Sequence, residues 1–172
     1  MDPELCRRAK EGDADAFASL YETVSSKLYS TAFYMLGRKE DAEDVVMETV
    51  TDAFSEIRSL REPAAFEGWI FRILMNKIKR RRKSYIGEDL ELQPDLISSD
   101  KGDRDEAVAV RQALAELPQQ DRSILVLDIL GGYRSDEIAG MLGMNPNTVR
   151  SRKVRALEKL RKMLGEGKYD RR

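Results

Sequence analysis

The chain has 172 residues, 41% hydrophobic and 35% charged, which is apolar material for one medium domain or two small ones and more charge than buried sheets carry. One cysteine, Cys6, and no histidine exclude an internal disulfide, the usual zinc ligand sets, and any Ser-His-Asp or Cys-His mechanism. The net charge of −1 hides a pattern: residues 1–60 sum to −6, 61–85 to +6, 86–121 to −7 and 122–172 to +6. Two basic blocks between acidic ones point to two separate contacts with a polyanion, the alternative being ordinary surface-charge scatter. Met1 to Lys10 lacks the apolar run of a signal peptide, and Ile124 to Leu130 is short and interrupted by Asp128. A cytoplasmic chain with no membrane insertion is therefore expected.

Asp13 predicts an N-cap for a first helix, in which Phe17, Leu20, Tyr21, Val24, Leu28, Ala32 and Leu36 recur at helical spacing until Gly37 ends it. A second helix is predicted from about Lys39 to Leu60, with Ala42, Val46, Val50, Ala53, Phe54 and Ile57 inward, broken at Pro63. A third begins near Ala64, with Phe66, Trp69, Ile70, Ile73, Leu74 and Ile78 on one stripe and a basic end from Lys77 to Lys83. Between Ser84 and Asp103 periodicity fades into glycine, proline, serine and acids, the composition of a flexible linker. Helical pattern resumes at Asp105 and stops at Pro118; further helices are predicted over Asp121 to Leu130, Ser135 to Leu142, and Asn145 to about Leu164. No run of alternating β-branched residues occurs, so the fold class is all-α.

The stretch from Ser135 to Leu160 has the grammar of a helix-turn-helix. Ser135 is an expected N-cap, Gly143 the turn, Asn145 the next cap and Pro146 its first helical residue. Val149, Leu157, Leu160 and Leu164 are expected to anchor the last helix. That leaves Asn147, Thr148, Arg150, Ser151, Arg152, Lys153 and Arg155 outward, donors suited to base edges and phosphates. A basic solvated helix in an ordinary bundle is the competing reading. The run Glu137 to Gly143 followed by Asn147 to Arg152, with Leu117-Pro118 and Arg122 upstream, resembles the fourth-domain helix-turn-helix of extracytoplasmic-function (ECF) sigma factors.

The N-terminal half carries the second part of this resemblance. Gly12-Asp13, Ala16-Phe17, Leu20-Tyr21 and Leu28-Tyr29 are similar to the start of sigma domain 2, and Asp41 to Glu48 to its clamp-docking helix. On the residues alone, Glu40, Asp44, Glu48, Asp52 and Glu56 stand at four-residue steps, where like charges repel by about 0.2–0.5 kcal/mol per pair. Such a stripe suits a basic partner or is simply a solvated face. In the third helix Arg72, Asn76, Lys79, Arg80 and Lys83 share the side opposite the apolar stripe, with Phe66 and Trp69 just before them. Rings beside a basic track suit unpaired DNA, although at this spacing such rings are more often core and most of their area is expected to be buried. Phe66 to Ile73 and Asn76 resemble the family segment that melts and reads the downstream (−10) promoter box, and Leu60 to Glu67 the loop that pockets a flipped-out base.

The resemblance implies a transcription initiation subunit, not an enzyme, with domain 2 over residues 1–84, an acidic linker over 85–104 and domain 4 over 105–172. It implies polymerase contact through Asp41, Asp44, Val45, Met47 and Glu48. It places single-stranded −10 contact on Phe66, Trp69, Arg72, Asn76, Lys79, Arg80 and Lys83. Duplex contact at the upstream (−35) box falls to Asn147, Thr148, Arg150, Ser151, Arg152 and Arg155. The implied partners are core RNA polymerase, through its large-subunit clamp and flap, promoter DNA and an anti-sigma protein. No metal or cofactor is expected, and the free chain is expected to be a monomer. The alternative is a stand-alone helix-turn-helix regulator with a helical oligomerisation or sensor domain, which would bind duplex DNA without polymerase.

Overall fold

The computed structural model describes residues 2–84 and 101–165. Their regular structure is helical: α1 (Pro3–Lys10), α2 (Ala14–Glu22), α3 (Ser25–Leu36), α4 (Lys39–Glu56), α5 (Phe66–Ser84), α6 (Lys101–Ala115), α7 (Gln119–Ile129), α8 (Ser135–Leu142) and α9 (Pro146–Leu164). Short 3-10 turns at Ile57–Ser59 and Pro63–Ala65 carry the chain from α4 to α5. Most of the predicted linker, residues 85–100, lies outside the described residues. Its last residues belong to α6, which starts at Lys101 and not at Asp105.

Two N-terminal expectations change. A helix not predicted, α1, precedes the first predicted one; Asp2 Oδ1 accepts from the Glu4 N–H at 2.9 Å, Pro3 occupies the first turn, and Cys6 and Ala9 are buried. The single helix expected from Asp13 to Gly37 is two. Thr23 closes α2, its Oγ1 donating to the Leu20 carbonyl at 2.7 Å, and Val24 leaves the helical region at φ −121°. The bend lets Val24 bury its side chain while α3 turns onto α4 and α5. Asp13 and Gly37 act as expected: Asp13 Oδ1 accepts from the Ala16 N–H at 3.0 Å, and Gly37, at φ 77°, donates to the Phe33 carbonyl at 2.8 Å.

The N-terminal unit packs α3, α4 and α5 around Leu20, Leu28, Phe33, Phe66, Ile70 and Leu74. The C-terminal unit packs α9 against α6, α7 and α8 around Ile124, Leu125, Leu127, Ile138, Val149 and Leu160. The two units share a seam, with α5 against α8 and α3 against α6 and α7. Phe71, off the predicted stripe of its helix, is fully buried there, edge-on to Tyr133 with ring centroids 5.1 Å apart. Arg122 lies deep in the same seam. Its Nη1 donates to the Met35 carbonyl at 3.4 Å, and its Nη2 donates to the carbonyls of Ala115 and Leu117. These oxygens lie at the C-terminal ends of α3 and α6, where carbonyls lack helical partners. Burial, reinforced by the charge of Arg82, pushes the Arg122 guanidinium down to about 10.

Candidate nucleic-acid interface

The helix-turn-helix forms as α8 and α9. Gly143 sits at φ 64°, a conformation costly for residues with a Cβ, and so turns the chain between them. Asn145 Oδ1 accepts from the Asn147 N–H at 2.9 Å, with Pro146 leading the helix. The cap expected at Ser135 is instead at Arg134. The Glu137 carboxylate reaches back to accept from the Arg134 backbone N–H at 2.7 Å, which moves the helix start one residue earlier.

Val149, Ala156 and Leu160 are buried and fix which side of α9 faces inward. Asn147, Thr148, Arg150, Ser151 and Arg155 are exposed together. Asn147 Oδ1 accepts from Arg150 Nη1 at 2.7 Å, and Ser151 Oγ donates to the Thr148 carbonyl at 3.1 Å. Arg152 departs from the expected set. It turns towards α7 and donates to Asp121 Oδ1 at 2.8 Å, while the neighbouring Lys153 pairs with Asp128. These two cations hold α9 to α7. Two residues that sequence reasoning passed over lie outward: Val154, 58% exposed, and Lys159. Arg155 and Lys159 line a cleft of about 230 Å³ with Pro118, Asp121, Arg152 and Ala156. The spacing of Lys159, four residues after Arg155, was the available signal for it.

Helix α5 presents Arg72, Asn76, Lys79, Arg80 and Lys83 to solvent, as its periodicity predicts. Phe66 does not join them. It is 0% exposed, with its ring centroid 6.4 Å from Phe17 and 6.1 Å from Trp69, so its faces are core surface and offer no base a stacking plane. Trp69 is half-buried beside it. The segment leading into α5 keeps Leu60 buried while Arg61, Glu62, Ala64 and Ala65 are exposed.

On α4, Met47 is 69% exposed and Asp44 and Glu48 are exposed, but Val45, at 1%, is core and offers no docking surface. Asp41 is also buried, at 7%. The acidic stripe finds cations inside the chain, from the inner flank of α5. Arg81 Nη1 donates to Asp41 at 3.1 Å and to Asp44 at 3.5 Å, and its Nη2 donates to Glu48 at 3.1 Å. Lys77 Nζ lies 2.6 Å from Asp52 and 3.6 Å from Glu48, and the hydrogen bond to Asp52 above all raises its pKa. The repulsion expected along α4 is thus largely answered by α5, leaving Glu40, Glu43, Asp44 and Met47 outward.

Where α5 meets the loop before α8, one carboxylate collects two donors. Glu67 Oε1 accepts from Tyr133 Oη at 2.6 Å and from Lys27 Nζ at 2.9 Å, and Lys27 Nζ also stands 5.0 Å from the Tyr133 ring centroid. Burial disfavours the Glu67 anion, but the two hydrogen bonds and the Lys27 charge outweigh it and hold the carboxyl below the usual carboxylate range. The Tyr133 hydroxyl is pushed well above its ordinary value, by burial first and by the Glu67 anion second.

Two cationic helix faces on a helical frame, one of them the second helix of a helix-turn-helix, have the features of a nucleic-acid-binding protein. The comparisons narrow the class. Residues 20–85 match the Sigma-70 region 2 family model and residues 107–160 match Sigma-70 region 4. The chain is 31% identical over 166 residues to the ECF RNA polymerase sigma factor SigM of Mycobacterium tuberculosis (strain H37Rv), covering 95% of this chain and 85% of that one. It is 27% identical to SigW of Bacillus subtilis (strain 168), over 95% of this chain and 97% of that one. Among solved structures, CnrH in complex with the cytosolic domain of CnrY superposes with a TM-score of 0.76 at 27% identity, covering 95% and 96% of the two chains. The sigma factor RpoE of Bartonella quintana, solved with the anti-sigma factor NepR, shares the fold at TM-score 0.75 and 24% identity, over 90% of this chain and 98% of that one.

The chain belongs to the ECF RNA polymerase sigma factor family. It binds core RNA polymerase and directs promoter-specific transcription initiation. No helix among the described residues is long and apolar enough to cross a membrane.

Proposed function

We propose that α9 reads the upstream (−35) duplex through Asn147, Thr148, Arg150, Ser151 and Arg155, and that α5 tracks the separated strand of the −10 box through Trp69, Arg72, Asn76, Lys79, Arg80 and Lys83. The outward face of α4, with Asp44, Met47 and Glu48, docks on the polymerase clamp. The domain limits follow the same division, with residues 1–84 handling clamp and −10 box and the region from α6 onward handling the −35 box and the flap. The chain works beside polymerase in the bacterial cytoplasm, and an anti-sigma protein is its natural inhibitor. CnrH, solved with the cytosolic domain of CnrY, supports that partner class.

The observation that carries the reading is a sorting of cations on both helices. Lys77, Arg81, Arg152 and Lys153 pair with internal carboxylates. Arg72, Lys79, Arg80, Lys83 and Arg155 point to solvent and have no carboxylate partner among the described residues. An outward cation without an internal partner is available to a phosphate or a guanine edge.

Arg150→Ala and Arg155→Ala should each weaken binding to a −35 duplex by roughly tenfold to a hundredfold, within the 1–3 kcal/mol of a base or phosphate contact. Both variants should co-purify with core polymerase as the native chain does. Loss of polymerase binding with unchanged duplex affinity would reverse the assignment.

A further inference from the structure

We infer that Gly68 is a clearance on α5: the sugar–phosphate backbone of the separated strand lies directly against the helix there, and the size of residue 68 sets how closely that strand seats beside Arg72. This rests on the proposed role of α5.

The fold itself has no use for a glycine at residue 68. Glycine is required where the chain turns through positive φ, as at Gly37 and Gly143, or where a Cβ has no room, as at Gly131 beside the Tyr133 ring. Neither condition holds at Gly68. It lies within α5, is not among the positive-φ glycines, and a Cβ there would meet no atom of the described residues within 4 Å. Alanine would fit that space and stabilise the helix, because glycine loses more backbone freedom on folding. Backbone geometry and internal packing therefore both favour alanine. What glycine serves at this position is the approach of something from outside the chain.

The neighbours of the gap name the chemistry of that visitor. With about 3.6 residues per turn, Arg72 stands one turn and Lys79 three turns beyond Gly68 on the same flank of α5. Both are exposed, and neither has a carboxylate partner among the described residues. Trp69, half-buried, lies on the other flank of the basic track. A base needs a flat face to stack on, whereas a sugar–phosphate backbone needs cations and a close approach. Gly68 gives the close approach, and Arg72 and Lys79 give the cations. Gly140 of α8 is the contrasting case. It also lies within a helix without positive φ, and a Cβ there would meet nothing within 4 Å. The residues one turn before it, Asp136 and Glu137, are exposed acids that repel a polyanion. The two glycines are alike in what the fold requires and differ in the charge beside them.

Two measurements with opposite expected signs test this. Urea denaturation of the free chain reports stability. Fluorescence anisotropy reports binding of two probes, an oligothymidylate and an abasic oligonucleotide of the same length, to the whole chain assembled on core polymerase, with core polymerase alone as the blank. Gly68→Ala should raise the folding equilibrium constant by about twofold to fivefold. The same variant should weaken strand binding by about tenfold, because the added methyl intrudes on a close-packed contact. The loss should be equal for both probes, since a backbone contact carries no base information. Gly68→Leu, longer and also a good helix former, should weaken binding further. Gly140→Ala should gain stability as Gly68→Ala does and bind both probes as the native chain does.

Native strand binding by Gly68→Ala, or a loss confined to the probe that carries bases, overturns the clearance. So does a Gly68→Ala chain less stable than the native one, because the glycine would then serve the fold. An equal loss of strand binding in Gly140→Ala also overturns it, by tying the loss to helix stiffness. Arg72→Ala separates the two readings. If it weakens strand binding while Gly68→Ala does not, the clearance alone fails; if it too binds as the native chain does, the strand-tracking role of α5 fails and the clearance falls with it.

Discussion

Helices α5 and α9 have the same length and the same two-sided use of charge, yet they are held in place differently. Helix α5 buries six side chains, Phe66, Ile70, Phe71, Leu74, Met75 and Ile78, while α9 buries three, Val149, Ala156 and Leu160. The position of α5 is set by close-packed core, where displacement opens voids on several sides. α9 has less apolar anchorage and adds two ion-paired ties to α7, Arg152 with Asp121 and Lys153 with Asp128. Helix α5 is thus built rigidly into its unit, whereas α9 rests on a lighter apolar footing. In both, the cations turned towards the scaffold pair with inward acids and the others face solvent.

The largest effect that separates the two helices should come from Phe66. If its ring is core, Phe66→Ala lowers the unfolding free energy of the N-terminal unit by about 3–5 kcal/mol, measured by urea denaturation. A stable Phe66→Ala protein that fails only in strand separation would return Phe66 to the DNA surface and blur the contrast. A smaller effect is expected at Arg81, the cation that bridges Asp41, Asp44 and Glu48. Arg81→Ala leaves Asp41 buried without that donor and restores repulsion along α4, a loss of about 1–2 kcal/mol in the same assay. An unfolding free energy within error of the native chain would show that α5 does not brace the acidic helix.

The smallest expected change sharpens the comparison at α9. Asp128→Asn releases Lys153 and should alter stability by less than about 1 kcal/mol, since the pair is partly exposed. The freed cation should instead appear in the salt dependence of duplex binding, steepening the slope of log K against log salt by about 0.9. An unchanged slope would mean that Lys153 remains turned inward for reasons of packing alone.

The all-α class, the helix-turn-helix and the outward basic face of α5 were legible in the sequence, because caps, glycine turns and apolar spacing are local properties of the chain. Gly37, Gly143, Asn145 and Asp13 each do in the structure what their chemistry predicts. Helix α1 escaped notice since it buries only the small residues Cys6 and Ala9, with Leu5 partly buried beside them, too short a pattern to register as a stripe. The break at Val24 escaped because both halves of the predicted helix keep the same inward periodicity across it.

Which cations pair inward and which face solvent was a tertiary decision. Lys77 and Lys79, or Arg152 and Arg155, are alike in sequence, and only the placement of Asp52 and Asp121 on neighbouring helices distinguishes them. Burial of Phe71 and Tyr133 was likewise invisible, because each packs on a ring from the other unit, and Arg122 is buried where it reaches the Met35 carbonyl across the same seam. Spacing along a chain determines what one helix can present; what it actually presents depends on which helix lies against it, through contacts between residues far apart in sequence.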